Sequence, residues 1–296
     1  MTRFERIIRA CPVCGDKDFK RLFSKDGLEF VKCRGCGLVY INPQPADDEI
    51  SALYSEDYYK PWGLDTDSSV VSEMKITTFD DKLTMVERFI KKGRILDIGC
   101  ATGFFLEAAK RKGWDVFGVE ISPYSAAIAQ ERFGKDRVFS GPLEAASYKD
   151  GFFDVVFMSD LVEHVKDLDL FFKEVFRIVK VKGIIAIVTP NIESLSYRIM
   201  RKLWPHLKME HLYYFSPSTM KRLLEREGFN PVYMSAATKA LNLSYVERQF
   251  STYPMPLLTP ALKWLAAVLP DGLKNRKIMV HTGEIFVIAE RVIKNA

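Results

Sequence analysis

Short apolar runs alternate with segments of helical spacing over the C-terminal two thirds of the chain. The apolar runs predict strands at 94–98, 115–119, 137–140, 153–158, 183–188, 230–235 and 284–289. The helical spacing predicts helices at 67–91, 103–112, 123–133, 167–180 and 217–227. Runs such as Ile184–Val188 are continuously apolar, which is typical of strands that are buried on both faces of a parallel sheet. The pattern therefore predicts a doubly wound α/β fold.

Two other segments do not follow this alternation. Residues 38–66 look irregular, with a breaker at Asn42–Pro45 and an aromatic cluster formed by Tyr54, Tyr58, Tyr59 and Trp62. Four prolines break the insertion at about 240–281, which contains a short apolar helix at 260–269. We expect that helix to pack on the domain or on a second subunit, or to lie on a membrane or a lipid-linked substrate.

The loop after the first predicted strand of the alternation carries the clearest chemical signal. Asp97–Gly103 reads D-I-G-C-A-T-G, and a turn of such small residues lets the backbone approach a ligand closely. Glu120 ends the next strand, where an acid can accept hydrogen bonds from ribose hydroxyls. A dinucleotide motif is excluded because Ala101 and Phe104 occupy its second and third glycine positions. The P-loop G-K-[ST] is absent.

The D-I-G-C-A-T-G run resembles the first motif of class I S-adenosylmethionine (SAM) methyltransferases. The resemblance implies a seven-stranded, mostly parallel Rossmann-like sheet whose last strand is antiparallel, with SAM at the carboxyl ends of strands. One departure is Ala101, which replaces the family's middle glycine, and its methyl group should cost little if φ stays negative.

This resemblance also implies which residues hold SAM. Asp97, Gly99, Ala101 and Gly103 would line the methionine end. Glu120 would hold the ribose and Ile121 would pack on adenine, with Leu143 and Glu144 on its other side. Ser159 and Asp160 would lie under the sulfonium.

Two histidines are candidates for the base that removes a proton from the acceptor. The string Asp160–Val165 contains Glu163-His164 and resembles the glutamate–histidine signature of ubiquinone-biosynthesis O-methyltransferases, which favours His164 as base or substrate orienter. His211 precedes a capped helix, so it can face the acceptor. Both also have a purely structural interpretation, and Asp160, Glu163 and His164 could alternatively bind Mg²⁺ or Zn²⁺.

Other polar groups near His211 are candidates for acceptor contacts. Tyr213 and Tyr214 could hydrogen-bond or stack on a sugar or ring. The basic loop formed by Arg198, Arg201, Lys202 and Lys208 could hold a phosphate, or could be a solvated helix face.

Four cysteines near the N-terminus form two C-x-x-C-G knuckles, at Cys11/Cys14 and Cys33/Cys36. Four thiolates in this spacing favour a closed, structural zinc site, although redox pairs or an iron site remain open. We predict a zinc ribbon at 1–45, a linker and helical cap at 46–92, and the SAM-binding domain at 93–296. The ribbon could contact substrate, dock a partner or be purely structural.

Composition and net charge say little about which ligands or macromolecules the protein binds. The formal net charge of +5 suits an anionic substrate or a membrane surface and is weak support for nucleic acid. No apolar run is long enough to span a membrane and no signal peptide precedes Cys11, so we expect a cytoplasmic protein, with peripheral membrane contact left open.

The leading hypothesis is a SAM-dependent methyltransferase that acts on a small molecule, on an oxygen of a sugar or glycan precursor such as a sugar nucleotide or lipid-linked saccharide. A ribbon ahead of this domain also resembles the sugar C- and O-methyltransferases, whose longer C-terminal domain is missing here. The rivals are an RNA methyltransferase that docks RNA through the ribbon, and a non-catalytic SAM-binding or scaffold protein. The fourth predicted strand lacks the N-P-P-[YF] motif of amino-group methylation.

Overall fold

A seven-stranded sheet forms the centre of the molecule. The computed structural model describes residues 9–46, 49, 69–252 and 258–292. The strands of this sheet are β4 (Arg94–Ile98), β5 (Asp115–Glu120), β6 (Val138–Ser140), β7 (Phe153–Ser159), β8 (Val179–Pro190), β10 (Phe229–Leu241) and β11 (Ile278–Arg291). Their order is β10-β11-β8-β7-β4-β5-β6, and only β11 runs antiparallel to its neighbours. The predicted doubly wound sheet with a reversed last strand is confirmed.

Helices cover both faces of this sheet. The helices of the described chain are α1 (Ser69–Val86), α2 (Phe104–Arg111), α3 (Pro123–Phe133), α4 (Leu168–Ile178), α5 (Leu195–Met200), α6 (Pro217–Arg226), α7 (Leu243–Thr252), α8 (Leu258–Val268) and α9 (Asp271–Lys274), and the last three belong to the insertion. On one face Phe79 of α1 and Phe105 of α2 pack on Phe157 of β7. On the other face the buried side chains of α4 and α6, including Phe172 and Leu223, join a second core layer. Burial on both faces explains the continuous apolar runs.

The first turns of two helices follow the predicted capping pattern. The Ser122 hydroxyl accepts from the Ser125 amide at the start of α3. Ser216 forms a reciprocal capping box with Thr219 at the start of α6, and each serine is followed by a proline at the first helical position. These helices therefore begin where the sequence places them.

A second sheet contains the cysteine segment. It has four antiparallel strands in the order β1 (Phe19–Lys25), β2 (Leu28–Cys33), β3 (Val39–Ile41) and β9 (Tyr213–Tyr214). The expectation of irregular chain from residue 38 was wrong for β3, because this short apolar strand pairs with segments on both sides. The predicted aromatic cluster of the linker lies outside the described residues.

The insertion extends a β-ribbon away from the central sheet. Strands β10 and β11 remain paired out to Leu241 and Ile278, beyond the predicted 230–235 and 284–289. Helix α8 does not bury its apolar face in the described part of the chain, since Trp264 is 67% exposed and Val268 is 56% exposed. Helix α8 does contact α7, since the Thr259 hydroxyl donates to the Phe250 carbonyl at 3.1 Å, so what its exposed apolar face packs on stays a prediction. Within the described segments, no helix is both long and apolar enough to cross a bilayer.

Candidate active site

The loop after β4 is a tight turn built on left-handed backbone. Gly99, Ala101 and Gly103 have φ values of 77°, 46° and 88°. A low cost of the Ala101 methyl group depended on a negative φ. The φ of Ala101 is positive, and an L-residue in this region costs about 1 kcal/mol. The Ala101 amide donates to Glu120 Oε2 at 2.9 Å, which helps to hold the residue in this conformation.

Glu120 joins this turn to the next loop. Its Oε1 accepts from the Ser122 amide at 2.8 Å, so both carboxylate oxygens bind a backbone N–H. Burial raises the pKa of Glu120, and the two amides oppose that effect. Burial, with Glu120 nearby, also raises the pKa of Asp97 well above its usual range. Two buried acids at the ends of β4 and β5 make this a site that favours a positively charged ligand.

One cavity of about 1550 Å³ begins at this turn. Nearly all the residues predicted to hold the cofactor line it: Asp97, Gly99, Ala101, Glu120, Ile121, Leu143, Glu144, Ser159 and Asp160. We call this region the cofactor half of the cavity. Gly103 does not line the cavity, because it precedes α2 and faces α3, where an added Cβ would lie 2.6 Å from the Phe133 ring. Its contact with the methionine end stays a prediction.

The lining of the same cavity also contains three histidines, and we call the region around them the acceptor half. His164, in a 3₁₀ turn after β7, lies with its ring centroid 4.7 Å from that of His211, and His206 lies 6.2 Å from His211. Burial lowers the pKa of His164 and of His206 to about 4, and it lowers the pKa of His211 well below the usual value. These imidazoles are therefore neutral at pH 7, and their low pKa makes them weaker bases than a free histidine until a ligand or charge at the site raises it.

Glu163 lies behind the histidines. Its Oε2 accepts from the Thr189 hydroxyl at 2.9 Å, and burial raises its pKa well above the usual range. Ligand atoms of Glu163, His164 and His211 lie within 4.8 Å of one another. Among the described residues, neither Glu163 Oε1 nor His211 Nδ1 has a hydrogen-bond partner. Asp160 is not in this cluster, which differs from the predicted Asp160/Glu163/His164 set.

Lys239 is a residue that the sequence did not single out. Its Nζ lies 2.6 Å from Glu284 Oε1 and 3.4 Å from Asp160 Oδ2, so it joins β10 to β11 and to the loop after β7. Burial alone would raise the pKa of Asp160, but Lys239 brings it below the usual range. Lys75 of α1 also lines the cavity, and burial, with Lys239 nearby, lowers its pKa to about 7. Lys239 lies beyond the predicted end of its strand, and nothing in the sequence around it indicates this role.

The two tyrosines of β9 do not face the cavity. Tyr213 and Tyr214 are buried, and their hydroxyls donate to the backbone carbonyls of Lys166 and Lys208. Their predicted contact with an acceptor was wrong, because pairing with β3 turns both side chains into packed cores. Of the predicted basic loop, only Lys202 and Lys208 line the cavity, while Arg198 and Arg201 are exposed.

The four cysteines converge as the knuckle spacing requires. Cys11 Sγ and Cys36 Sγ are 3.5 Å apart, as are Cys14 Sγ and Cys33 Sγ, and all four lie within 4.8 Å of one another. Tetrahedral zinc with bonds of about 2.3 Å needs sulfur–sulfur distances of about 3.8 Å. The donor set therefore fits one four-coordinate zinc ion. Cys100 is a separate, buried turn residue.

Comparison with known proteins identifies the family of the chain. A family model described as "Methyltransferase domain" matches residues 72–233, more than half of the chain. The chain belongs to this methyltransferase family. The methyltransferase is 32% identical over 123 residues to a ubiquinone biosynthesis O-methyltransferase of Pelagibacter ubique, covering 40% of this chain and 50% of the relative. It is 30% identical over 189 residues to a 2-methyl-6-phytyl-1,4-hydroquinone methyltransferase of Synechocystis, covering 60% of this chain and 55% of that protein.

Solved structures share its fold. A geranyl diphosphate C-methyltransferase from Streptomyces coelicolor, determined with Mg²⁺, geranyl diphosphate and S-adenosyl-L-homocysteine, superposes with a TM-score of 0.51 at 17% identity, covering 84% of this chain and 90% of that one. A SAM-dependent methyltransferase from Archaeoglobus fulgidus gives 0.50 at 23% identity, covering 73% and 94%. The methyltransferase spans about half the length of the curated relatives it matches.

Proposed function

We propose that this protein transfers the methyl group of SAM to an oxygen of a small-molecule acceptor. The observation that carries the proposal is the single cavity of about 1550 Å³ that joins the Gly99 turn to the histidines. Most ligand pockets measure about 300–1,000 Å³, so this cavity has room for two ligands side by side. In-line methyl transfer needs this arrangement, because the donor carbon and the acceptor atom must be held in contact.

SAM fits the cofactor half of the cavity by charge and by position. Each Glu120 oxygen keeps a lone pair after accepting its backbone N–H, and these lone pairs would accept from the ribose hydroxyls. Ile121, 65% exposed in the cavity wall, would pack on the adenine from one side, with Leu143 and Glu144 on the other. Asp97, Gly99 and Ala101 would surround the methionine end. The cofactor supplies the activated methyl group, and the chain's residues align the two partners.

In the acceptor half, His164 would act as the base or orient the acceptor hydroxyl, with His211 beside it. A neutral imidazole can take the proton of a hydroxyl as the oxygen attacks. Ser159 and Asp160 would lie under the sulfonium, at the boundary between the two halves.

The lining of the acceptor half favours an acceptor with an apolar part. Its apolar side chains come from four regions of the chain: Val71, Met74, Phe171, Leu203, Trp204, Leu207, Tyr245 and Phe250. A lipid-linked saccharide combines such a part with the sugar hydroxyl that the sequence predicts, whereas a bare sugar nucleotide does not. Because the named relatives include quinone and hydroquinone enzymes, prenylated phenols are the competing acceptor class.

A second candidate chemistry uses a divalent cation in place of a histidine base. The unpartnered Glu163 Oε1 and His211 Nδ1 lie in one cluster with His164, and one carboxylate with two imidazoles suits Mg²⁺ or Zn²⁺. A cation there would polarise the acceptor oxygen and lower its pKa.

Label transfer tests the proposal. The full chain is incubated with methyl-labelled SAM and, separately, with a sugar nucleotide, a polyprenyl-linked saccharide, a prenylated phenol and RNA. Label in the polyprenyl-linked saccharide supports the acceptor proposed here, and label in the phenol or in RNA replaces it with a rival class. SAM binding with no transfer to cell extract would favour the non-catalytic alternative. Loss of transfer in a chelator that leaves the cysteine site loaded would favour the cation over the histidine base.

A further inference from the structure

The cysteine segment and the acceptor half share one hydrophobic core. Four buried side chains on β2 and β3 pack against four from the chain around the histidines: Leu28, Phe30, Val39 and Ile41 against Ile192, Trp204, Leu207 and Tyr214. The Phe30 and Tyr214 rings lie 5.5 Å apart between centroids. Side chains in such a core hold each other in place, because interiors are close-packed and leave few voids.

Backbone hydrogen bonds connect the same two regions. Val39 and Tyr40 of β3 pair with Tyr214 and Tyr213 of β9. One residue earlier, the Leu212 carbonyl accepts from the Ile41 amide at 3.0 Å, and the Leu212 amide donates to the Glu163 carbonyl at 2.8 Å. Leu212 lies between the cysteine segment and Glu163, and it directly follows His211. A shift of β3 would therefore move both histidine-bearing segments.

Side chains add two further connections at the cavity. Lys25, at the turn between β1 and β2, donates from Nζ to the Leu207 carbonyl at 3.0 Å, and both Lys25 and Asp26 line the cavity. The Tyr214 hydroxyl accepts from the Lys208 amide at 3.2 Å and donates to the Lys208 carbonyl at 3.1 Å. The segment 204–208 is thus held by the tip of the cysteine segment on one side and by β9 on the other.

We propose that the four-cysteine unit is a wall of the acceptor half and positions His206, Lys208 and His211, while SAM binding is independent of it. This inference rests on the proposed function for the identity of the two halves. The residues of the cofactor half lie on or directly after β4, β5, β6 and β7, and none of the contacts above includes them. The larger core also contains Cys33 and Tyr40 together with Leu96, Val119 and Leu143, so the connection to the cofactor half consists of apolar packing without these hydrogen bonds. Since short metal-bound segments gain much of their folding energy from the ion, loading of the cysteines would control the order of the acceptor half more than that of the cofactor half.

Histidine resonances provide a direct readout, because the chain has only four histidines. Three of them line the acceptor half, and the exposed His281 of β11 adjoins Thr282, whose backbone bonds His206. In ¹⁵N-histidine-labelled full chain, Lys25→Met should shift or broaden the His206 and His211 signals more than the His281 signal. Lys25→Arg, which can still donate to the Leu207 carbonyl, should restore them, and Lys20→Met on the same strand is the matched control.

SAM titration by calorimetry separates this inference from the proposed function. The Lys25→Met and Cys14→Ser variants should keep the parent SAM affinity within about twofold, while Cys14→Ser disturbs the His206 and His211 signals more than Lys25→Met does. Unmoved histidine signals in Lys25→Met, or an equal loss of SAM affinity and histidine order, would overturn the inference. If Cys14→Ser fails to fold, the comparison of Lys25→Met with Lys25→Arg still tests the inference. Absence of SAM binding by the parent chain would instead refute the proposed function.

Discussion

Replacing Glu120 by glutamine tests the cofactor half most directly. The substitution keeps the side-chain shape but removes the charge and replaces one acceptor oxygen by an NH₂ group that faces a backbone N–H, at Ala101 or at Ser122. One amide of the turn then loses its partner, and the ribose loses an ionised acceptor. Hydrogen bonds to charged groups contribute about 1.5–3 kcal/mol each. We therefore expect SAM affinity to fall by about 10- to 150-fold.

Calorimetric titration of SAM into the Glu120→Gln protein measures this loss, and Glu131→Gln on the exposed side of α3 is the matched control. Circular dichroism should show that both variants fold like the parent, because the sheet keeps its packing. A SAM dissociation constant for Glu120→Gln within about twofold of the control would refute the reasoning, since it would mean that neither the carboxylate charge nor the turn geometry contributes to cofactor binding.

Three further predictions concern the acceptor half. His164→Gln should slow label transfer about 100-fold and leave SAM affinity unchanged, and a parental rate would exclude His164 as the base. Burial lowers the pKa of His164 and of His206 to about 4 from an ordinary 6.5, so between these pH values the unfolded chain binds more protons than the folded chain. The free energy of unfolding is therefore highest above pH 6.5. It falls by about 1.4 kcal/mol per pH unit per histidine as the pH drops toward 4, and equal urea midpoints at pH 7 and pH 5 would contradict this prediction. Lys239→Met should lower the free energy of unfolding by about 1–3 kcal/mol, because it leaves the buried Glu284 carboxylate without its cation, whereas the partly exposed Asp160 is screened by solvent, and adding Glu284→Gln should recover part of that loss in urea titrations.

The cofactor half could be predicted from the sequence because every part of it is local. Strand β4, its turn and the acid at the end of β5 lie within 27 residues, Arg94–Glu120, and parallel strands place their carboxyl ends at one edge. Even there, the condition of a negative φ at Ala101 is not met. The cost of a Cβ at a positive φ follows from the residue type, but the hydrogen bond from the Ala101 amide to Glu120 does not.

The acceptor half could not be predicted in the same way, because its residues come together from distant parts of the chain. The pairing of β3 with β9 joins residues more than 170 positions apart, and it decides that Tyr213 and Tyr214 are packed and not facing a ligand. Lys239 reaches Asp160 and Glu284 only because β10 continues past its apolar run. The spacing of apolar residues indicates which face of a strand is buried, but it does not indicate which segment of the chain packs on that face.

The two halves of the cavity also differ in charge, and this difference bears on the chemistry. The buried Asp97 and Glu120 lie where the positive sulfonium nucleoside would bind, while Lys208 and Lys239, the latter paired with Asp160 and Glu284, lie near His206, where the acceptor oxygen would develop negative charge. Transfer of a methyl group from a sulfonium to an oxyanion converts two opposite charges into neutral products. In a medium of low dielectric constant such charges attract more strongly and are less well solvated than in water, so the charged reactants lose more stabilisation than the transition state, in which the charges are already partly neutralised. Apolar side chains such as Phe171 and Trp204 around a few fixed charges therefore favour the transfer itself, and not only the binding of an apolar acceptor.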